Sequence, residues 1–283
     1  MTTIADKSIF SVIRLDCCSK DEERRRQGAR AVGEDFEHKS RTLVSGPDWA
    51  DYRAQLDQAI FELTNSAAVH EQLGGLLLIE ELTSRHSEDA ASKVTNFANC
   101  LRRPITESPD LAVLTLATDC LGRLARAEGG HAAVKPQLDV ALQRLKAGNR
   151  LDSAVLVLRQ LAENAPTLTY VHLDDIFRDL WTAMRDVRVQ TREGAAAVLR
   201  ACLALVSSRK SEARRKWYLR IYEEAQRGLL ERSGSSGFGG ESRPTEAVHG
   251  ALLTVAELLT AQGVELTEVQ LDGLIAGALI ADC

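Results

Sequence analysis

The feature that most constrains this chain is a recurrence. Stretches of small and branched apolar residues begin near positions 75, 112, 152, 194 and 250: "GGLLLIEELTS", "LAVLTLATDCLGRLAR", "LDSAVLVLRQLAE", "TREGAAAVLRACLALVSSRK" and "HGALLTVAELL". The first four starts are spaced by roughly 40 residues, the period of HEAT and armadillo units. Inside one of them, Ala195, Val198, Leu199, Cys202, Leu203 and Val206 follow the i, i+3, i+4, i+7 rhythm that lines one face of a helix. Arg192, Glu193 and Arg200 lie mostly off that face, and the alanines at 195–197 permit close approach of a neighbour.

Each stretch follows another with the same rhythm. "VHLDDIFRDLWTAMRD" puts Leu173, Ile176, Phe177, Leu180 and Met184 on one side, and the short link "VRVQT" predicts antiparallel neighbours. Tyr52, Leu56, Ala59, Ile60 and Leu63 form an equivalent stripe, as do Val134, Leu138, Ala141, Leu142 and Leu145. So do Tyr218, Ile221, Tyr222, Ala225 and Leu229. Ala90, Val94, Phe97, Ala98 and Leu101 form another, with breaks expected at Pro104 and Pro109. Residues 4–37 read as a further pair split at "CCSKDEE". One hairpin cannot bury its apolar face alone and must stack on the next. The expected fold is therefore all-α: residues 1–283 as one α-solenoid of about six HEAT/armadillo-like helical hairpins. The interval before the last stretch is longer, and the excess falls on the Gly/Ser-rich segment 232–244, "RSGSSGFGGESRP", read as a flexible loop.

Composition agrees. Aromatics are only 5% of the 283 residues, so Leu, Ala and Val must fill the core, and six prolines favour helix. A net charge of −5 argues against nucleic acid as the main ligand. The six cysteines, Cys17, Cys18, Cys100, Cys120, Cys202 and Cys283, match no CxxC pattern and read as reduced, mostly buried thiols of a cytosolic protein. Asp6, Lys7 and Arg14 interrupt the first apolar residues, so no secretory h-region is expected there. No run reaches the roughly 18 apolar residues of a membrane span.

The residues capable of chemistry do not assemble into a motif. "GSSGFGG" at 234–240 has neither the lysine nor the flanking strand of a phosphate loop. His38, His70, His86, His131, His172 and His249 are scattered, with no HExxH and no Cys at ligand spacing. The carboxylate pairs Glu80–Glu81, Asp174–Asp175 and Glu223–Glu224 are adjacent on helices and so diverge. "RKSEARRKWYLR", Arg209 to Arg220, joins six basic residues to Trp217 and Tyr218. It could hold phosphates or an acidic segment. A charged helix start with its aromatics turned inward is the simpler reading. No catalytic, cofactor-binding or metal-binding residue is expected, and no kinase signature occurs.

The order of the motifs carries a resemblance. "QAIFELTNS", "GGLLLIEEL", "VTNFANCLR", "LGRLA", "SAVLVLRQLAENAPT", "TREGAAAVLRACLAL", "WYLRIYEEAQRGL" and "HGALLTVAELL" resemble, in this order, the N-terminal HEAT-repeat region of the target-of-rapamycin (TOR) kinases. The likeness runs from about residue 8 to about residue 262. It implies a piece of a very large serine/threonine kinase of the phosphatidylinositol-kinase-related group, whose catalytic domain lies far C-terminal. In that family the N-terminal solenoid does no chemistry. It is a curved arm that helps dimerise the complex and docks the substrate-recruiting subunit, Raptor. The resemblance further implies a cytoplasmic protein, peripheral at lysosomal or vacuolar membranes as part of a complex. Two departures stand out: the Gly/Ser loop at 233–240 replaces a more charged connector, and the helical pattern ends unfinished in "LDGLIAGALIADC". Apolar surface is expected around Leu271, Leu274 and Ile275 as a result. The alternatives are a free-standing HEAT adaptor and, last, nucleic-acid binding through Arg209–Arg220.

Overall fold

The computed structural model describes residues 9–42, 46–85, 90–207, 211–230 and 245–261. Within them every regular element is a helix. The chain divides into two compact units, Met1–Gln137 and Leu138–Cys283.

In the first unit the chain opens with α1 (Ile9–Val12), which runs directly into a π-helical turn, Ile13–Cys17. It returns as α2 (Glu22–Thr42). Then come the pair α3 (Pro47–Thr64) and α4 (Val69–Thr83), the pieces α5 (Ala90–Cys100) and α6 (Arg102–Glu107), and α7 (Leu111–Arg126). Helix α4 packs on α2, α3 and α7, so second helices form one layer and first helices another. Being central, α4 is buried from Gly74 through Ile79 without a break, which is why that stretch shows little amphipathic contrast. The expected break at Pro104 falls instead at Leu101. Pro104 sits inside the first turn of α6, where its missing N–H has no partner to lose. The second break is as expected. Ser108, preceding Pro109, is forced to extended backbone (φ −61°, ψ 129°). Asp110 then caps α7 by accepting from the Ala112 and Val113 amides at 2.9 and 3.1 Å.

Helix α8 (Gly130–Ala147) ends at Gly148, whose φ of +67° suits only a residue without Cβ strain. The second unit continues with α9 (Leu151–Asn164), a short α10 (Pro166–Tyr170) absent from the sequence reading, and α11 (Leu173–Met184). It closes with α12 (Val189–Ser207), α13 (Ser211–Leu230) and α14 (Thr245–Thr260). Helix α12 packs on α9, α11 and α14. Ala195, Val198, Leu199, Cys202, Leu203 and Val206 are all buried, as the stripe requires, and Ala196 and Ala201 are buried beside them. Each unit is thus all-α, built of stacked helical hairpins in the manner of an α-solenoid.

Three second helices begin earlier than their apolar runs suggest: α4 at Val69, α12 at Val189 and α14 at Thr245. Their first turns are mostly exposed or half-buried, so they carry no apolar rhythm by which to be read. Two glycines explain how close the layers come. A Cβ on Gly74 of α4 would lie 2.0 Å from the carbonyl oxygen of Cys17, and one on Gly250 of α14 would lie 1.9 Å from that of Met184. In both cases a second helix presses its bare backbone on the last carbonyl of the first helix one pair earlier.

The flexible-loop reading of 232–244, and with it "GSSGFGG", falls outside the described residues. So does the apolar surface expected around Leu271, Leu274 and Ile275.

Candidate interaction surface

The turns that join first to second helices repeat a hydrogen-bond pattern in each unit. Ser19, Ser66, Ser108 and Asp186 each accept, through the side chain, the amide two residues on, at 3.1, 3.1, 3.2 and 2.8 Å. Six residues beyond three of them, a long polar side chain reaches back to the carbonyls of the turn. Arg25 Nη1 donates to Ser19 and Lys20 (2.8 and 2.9 Å), Gln72 Nε2 to Ser66 (2.8 Å), and Arg192 Nη1 to Asp186 and Val187 (2.6 and 3.2 Å). These bonds satisfy carbonyls that the helix end leaves open. Arg192 is only 5% exposed, so its expected place off the buried face is corrected. A stripe count ranks arginine as polar and outward, whereas these carbonyls and Nδ1 of His249, which accepts from Arg192 Nε at 2.9 Å, give it an interior role. The recurring Ser/Asp-x5-Arg/Gln spacing is the sequence signal that could have found it.

The exposed flanks of the second helices are self-neutralising. In the first unit, Glu37 and Glu81 both bind Arg85 (2.6 and 2.5 Å), Arg41 also pairs with Glu37, and Arg123 binds Glu80 at 2.7 Å. Hydrogen bonds and charge from Arg85 and Arg41 hold the Glu37 carboxyl below its ordinary range. In the second unit, Arg159 pairs with Glu163, and Arg200 forks onto Glu257 at 2.7 and 2.5 Å. Glu257 is 5% exposed, so this pair, unlike the others, has a buried acid.

The adjacent carboxylates diverge as expected. Glu80 and Glu81 go to different arginines, Asp175 pairs with Arg178 at 2.8 Å while Asp174 is exposed, and Glu224 engages Arg185 and Arg227. Of the basic run, Trp217 and Tyr218 are buried, and Trp217 lies 5.0 Å from the Phe177 ring. That is the core-facing arrangement. Among the described histidines, His38 and His131 are exposed and His70, His172 and His249 half-buried. His86 lies outside the described residues. No group of His, Cys, Asp and Glu among the described residues has metal-binding geometry. Burial pushes the thiols of Cys17 and Cys202 up to about 12 and that of Cys100 to about 11, and raises Cys120 further. Buried thiols so far from ionisation are inert packing. No described helix is long and apolar enough to cross a membrane.

Some of the exposed apolar residues lie at these turns. In the first unit, Phe61, Val69 and Leu111, which flank the turns between first and second helices, are 41–55% exposed. In the second unit, Val187 and Val189 are 78% and 43% exposed beside Arg188. A cleft of about 650 Å3 also opens between the π-helical turn and α3, with Phe10, Ile13, Ala59 and Leu63 among its apolar lining and Arg14 and Glu62 among its charged residues.

No protein-family profile matches the chain. It is similar to the serine/threonine-protein kinase TOR of Arabidopsis thaliana, 36% identical over 225 residues, covering 78% of this chain and 9% of that protein. The rice protein of the same name is 36% identical over 241 residues, 83% of this chain and 9% of its relative. Schizosaccharomyces pombe tor1 is 32% identical over 234 residues, 81% and 10%. Among solved structures, an engineered protein aligns with 90% of this chain at 14% identity with a TM-score of 0.43, a likeness too distant to add to the fold above. The chain is therefore homologous to a segment of the TOR serine/threonine-protein kinases, a helical-repeat stretch that spans 9–10% of the length of these relatives.

Proposed function

We propose that this segment is a non-catalytic scaffold: the N-terminal arm of a TOR kinase, acting in nutrient and growth signalling through protein–protein contacts, including docking of a Raptor-like subunit and contact with a second TOR protomer. The observation that carries the reading is the homology, 32–36% identical to three TOR kinases over 78–83% of this chain yet only 9–10% of theirs. A segment of that size, made of stacked hairpins, offers extended surface. The neutralised second-helix flanks and the exposed apolar residues at the turns are what a protein partner would meet. The same reading places the protein in the cytoplasm, peripheral to lysosomal or vacuolar membranes within a complex.

The test is affinity purification of the endogenous protein that contains this sequence, followed by mass spectrometry. A polypeptide with downstream kinase-domain peptides, co-purifying with a Raptor-like subunit, is the expected result. A polypeptide with no kinase domain and no such subunit would refute the kinase-arm reading.

A further inference from the structure

Helices α12 and α14 are joined by a contact whose chemistry depends on one proton. Arg192 of α12 is always charged and, with Nη1 committed to the carbonyls of Asp186 and Val187, is pinned in the turn. Its Nε can offer α14 only a donor. His249 answers with Nδ1 as acceptor at 2.9 Å, which places the ring proton on Nε2. A second proton would turn that acceptor into a donor and set two cations at hydrogen-bond distance in a part-buried site. The equivalent arginine of the first unit, Arg25, holds its turn in the same way, but its buried Nε faces no acceptor. The histidine is therefore an addition to the repeat's ordinary turn contact.

We propose that Arg192–His249 is a proton-sensitive latch, holding α14 against α12 while the imidazole is neutral and letting go when it is protonated. Several charges on the other elements packed against α14 have partners of their own. Asp186, after α11, pairs with Arg188 at 3.1 Å, and Arg185 lies 3.9 Å from Glu224 of α13, which also binds Arg227 at 2.6 Å. On α12, Glu193 is exposed and Arg200 is taken by Glu257. On α14 itself, Glu246 is one turn before His249 and half-exposed. The sign follows: the neutral ring is the one that binds, so the latch is closed at higher pH and opens on acidification.

Hydrogen exchange on the full chain at pH 7.5 and 5.5, expressed as protection factors, tests this. Protection of α14 amides is expected to fall about tenfold while α9 amides hold. In His249→Asn the Oδ1, which stands where Nδ1 stood, accepts from Arg192 at both pH values, and α14 protection becomes pH-independent. Unchanged α14 protection in the native chain, or an equal fall in His249→Asn, overturns the latch. Should that variant fail to fold, the 15N shifts of the native His249 ring decide. Nδ1 is expected bare at pH 7.5, and a protonated Nδ1 there overturns the proposal.

Discussion

Replacing Gly74 by alanine tests the packing of second helices on earlier carbonyls. The new Cβ would lie 2.0 Å from the Cys17 oxygen and 2.9 Å from its carbonyl carbon. An ordinary C···O contact is about 3.3 Å, so α4 or the π-helical turn must retreat by roughly 1.3 Å. Both obstructing atoms are backbone, and no rotamer change relieves them. Overpacking of this kind costs about 3 kcal/mol at the upper end of its usual range, and the gain in helix propensity returns about 1 kcal/mol. The net expectation is a loss of about 2 kcal/mol, a roughly 30-fold fall in the folded-to-unfolded ratio. Gly194→Ala is the comparison, because its Cβ would meet side-chain rather than backbone atoms, Cγ2 and Cβ of Val155 at 2.7 and 3.5 Å. It should cost less than Gly74→Ala. Urea unfolding followed by circular dichroism compares the two with the parent. If Gly74→Ala is as stable as the parent, or Gly194→Ala loses as much, the close-approach reasoning is wrong.

Leu199→Asp places a carboxylate at a fully buried position and should cost about 3–5 kcal/mol, read as a collapse of the thermal transition; retained stability would mean that α12 is not packed as described. Because burial raises the Cys17 and Cys202 thiols to about 12, the unfolded chain releases these protons first. Stability should therefore fall above pH 8.5 by up to about 1.4 kcal/mol per pH unit per thiol, and Cys202→Ala should reduce that slope. Arg200→Ala strands the buried Glu257 carboxylate and should cost more than Arg159→Ala, which removes an exposed pair worth about 0.3–0.5 kcal/mol. Equal losses from the two would show that Glu257 is adequately solvated without its arginine.

The helices and their apolar faces were legible because each is a local matter. Leu173, Ile176, Phe177, Leu180 and Met184 declare one face of α11 by spacing alone, and all are buried. The order of such segments likewise identified the family, and the divergence of Glu80 from Glu81 followed from the helical turn. The edge contacts were not legible. Arg192, Arg25 and Glu257 look like surface charges in a linear reading, yet each is buried. Arg25 and Arg192 gain their partners when the chain reverses into a turn, while Glu257 meets Arg200, 57 residues away. The roles of Gly74 and Gly250 depend on which carbonyl stacking brings beneath them, a distance no local spacing encodes. Sequence alone determined that this chain is helical, repeating and TOR-like, since periodicity and motif order are properties of neighbours along the chain. Tertiary structure alone decided which polar groups are interior, because burial of a charge is set by the acceptors that distant segments supply.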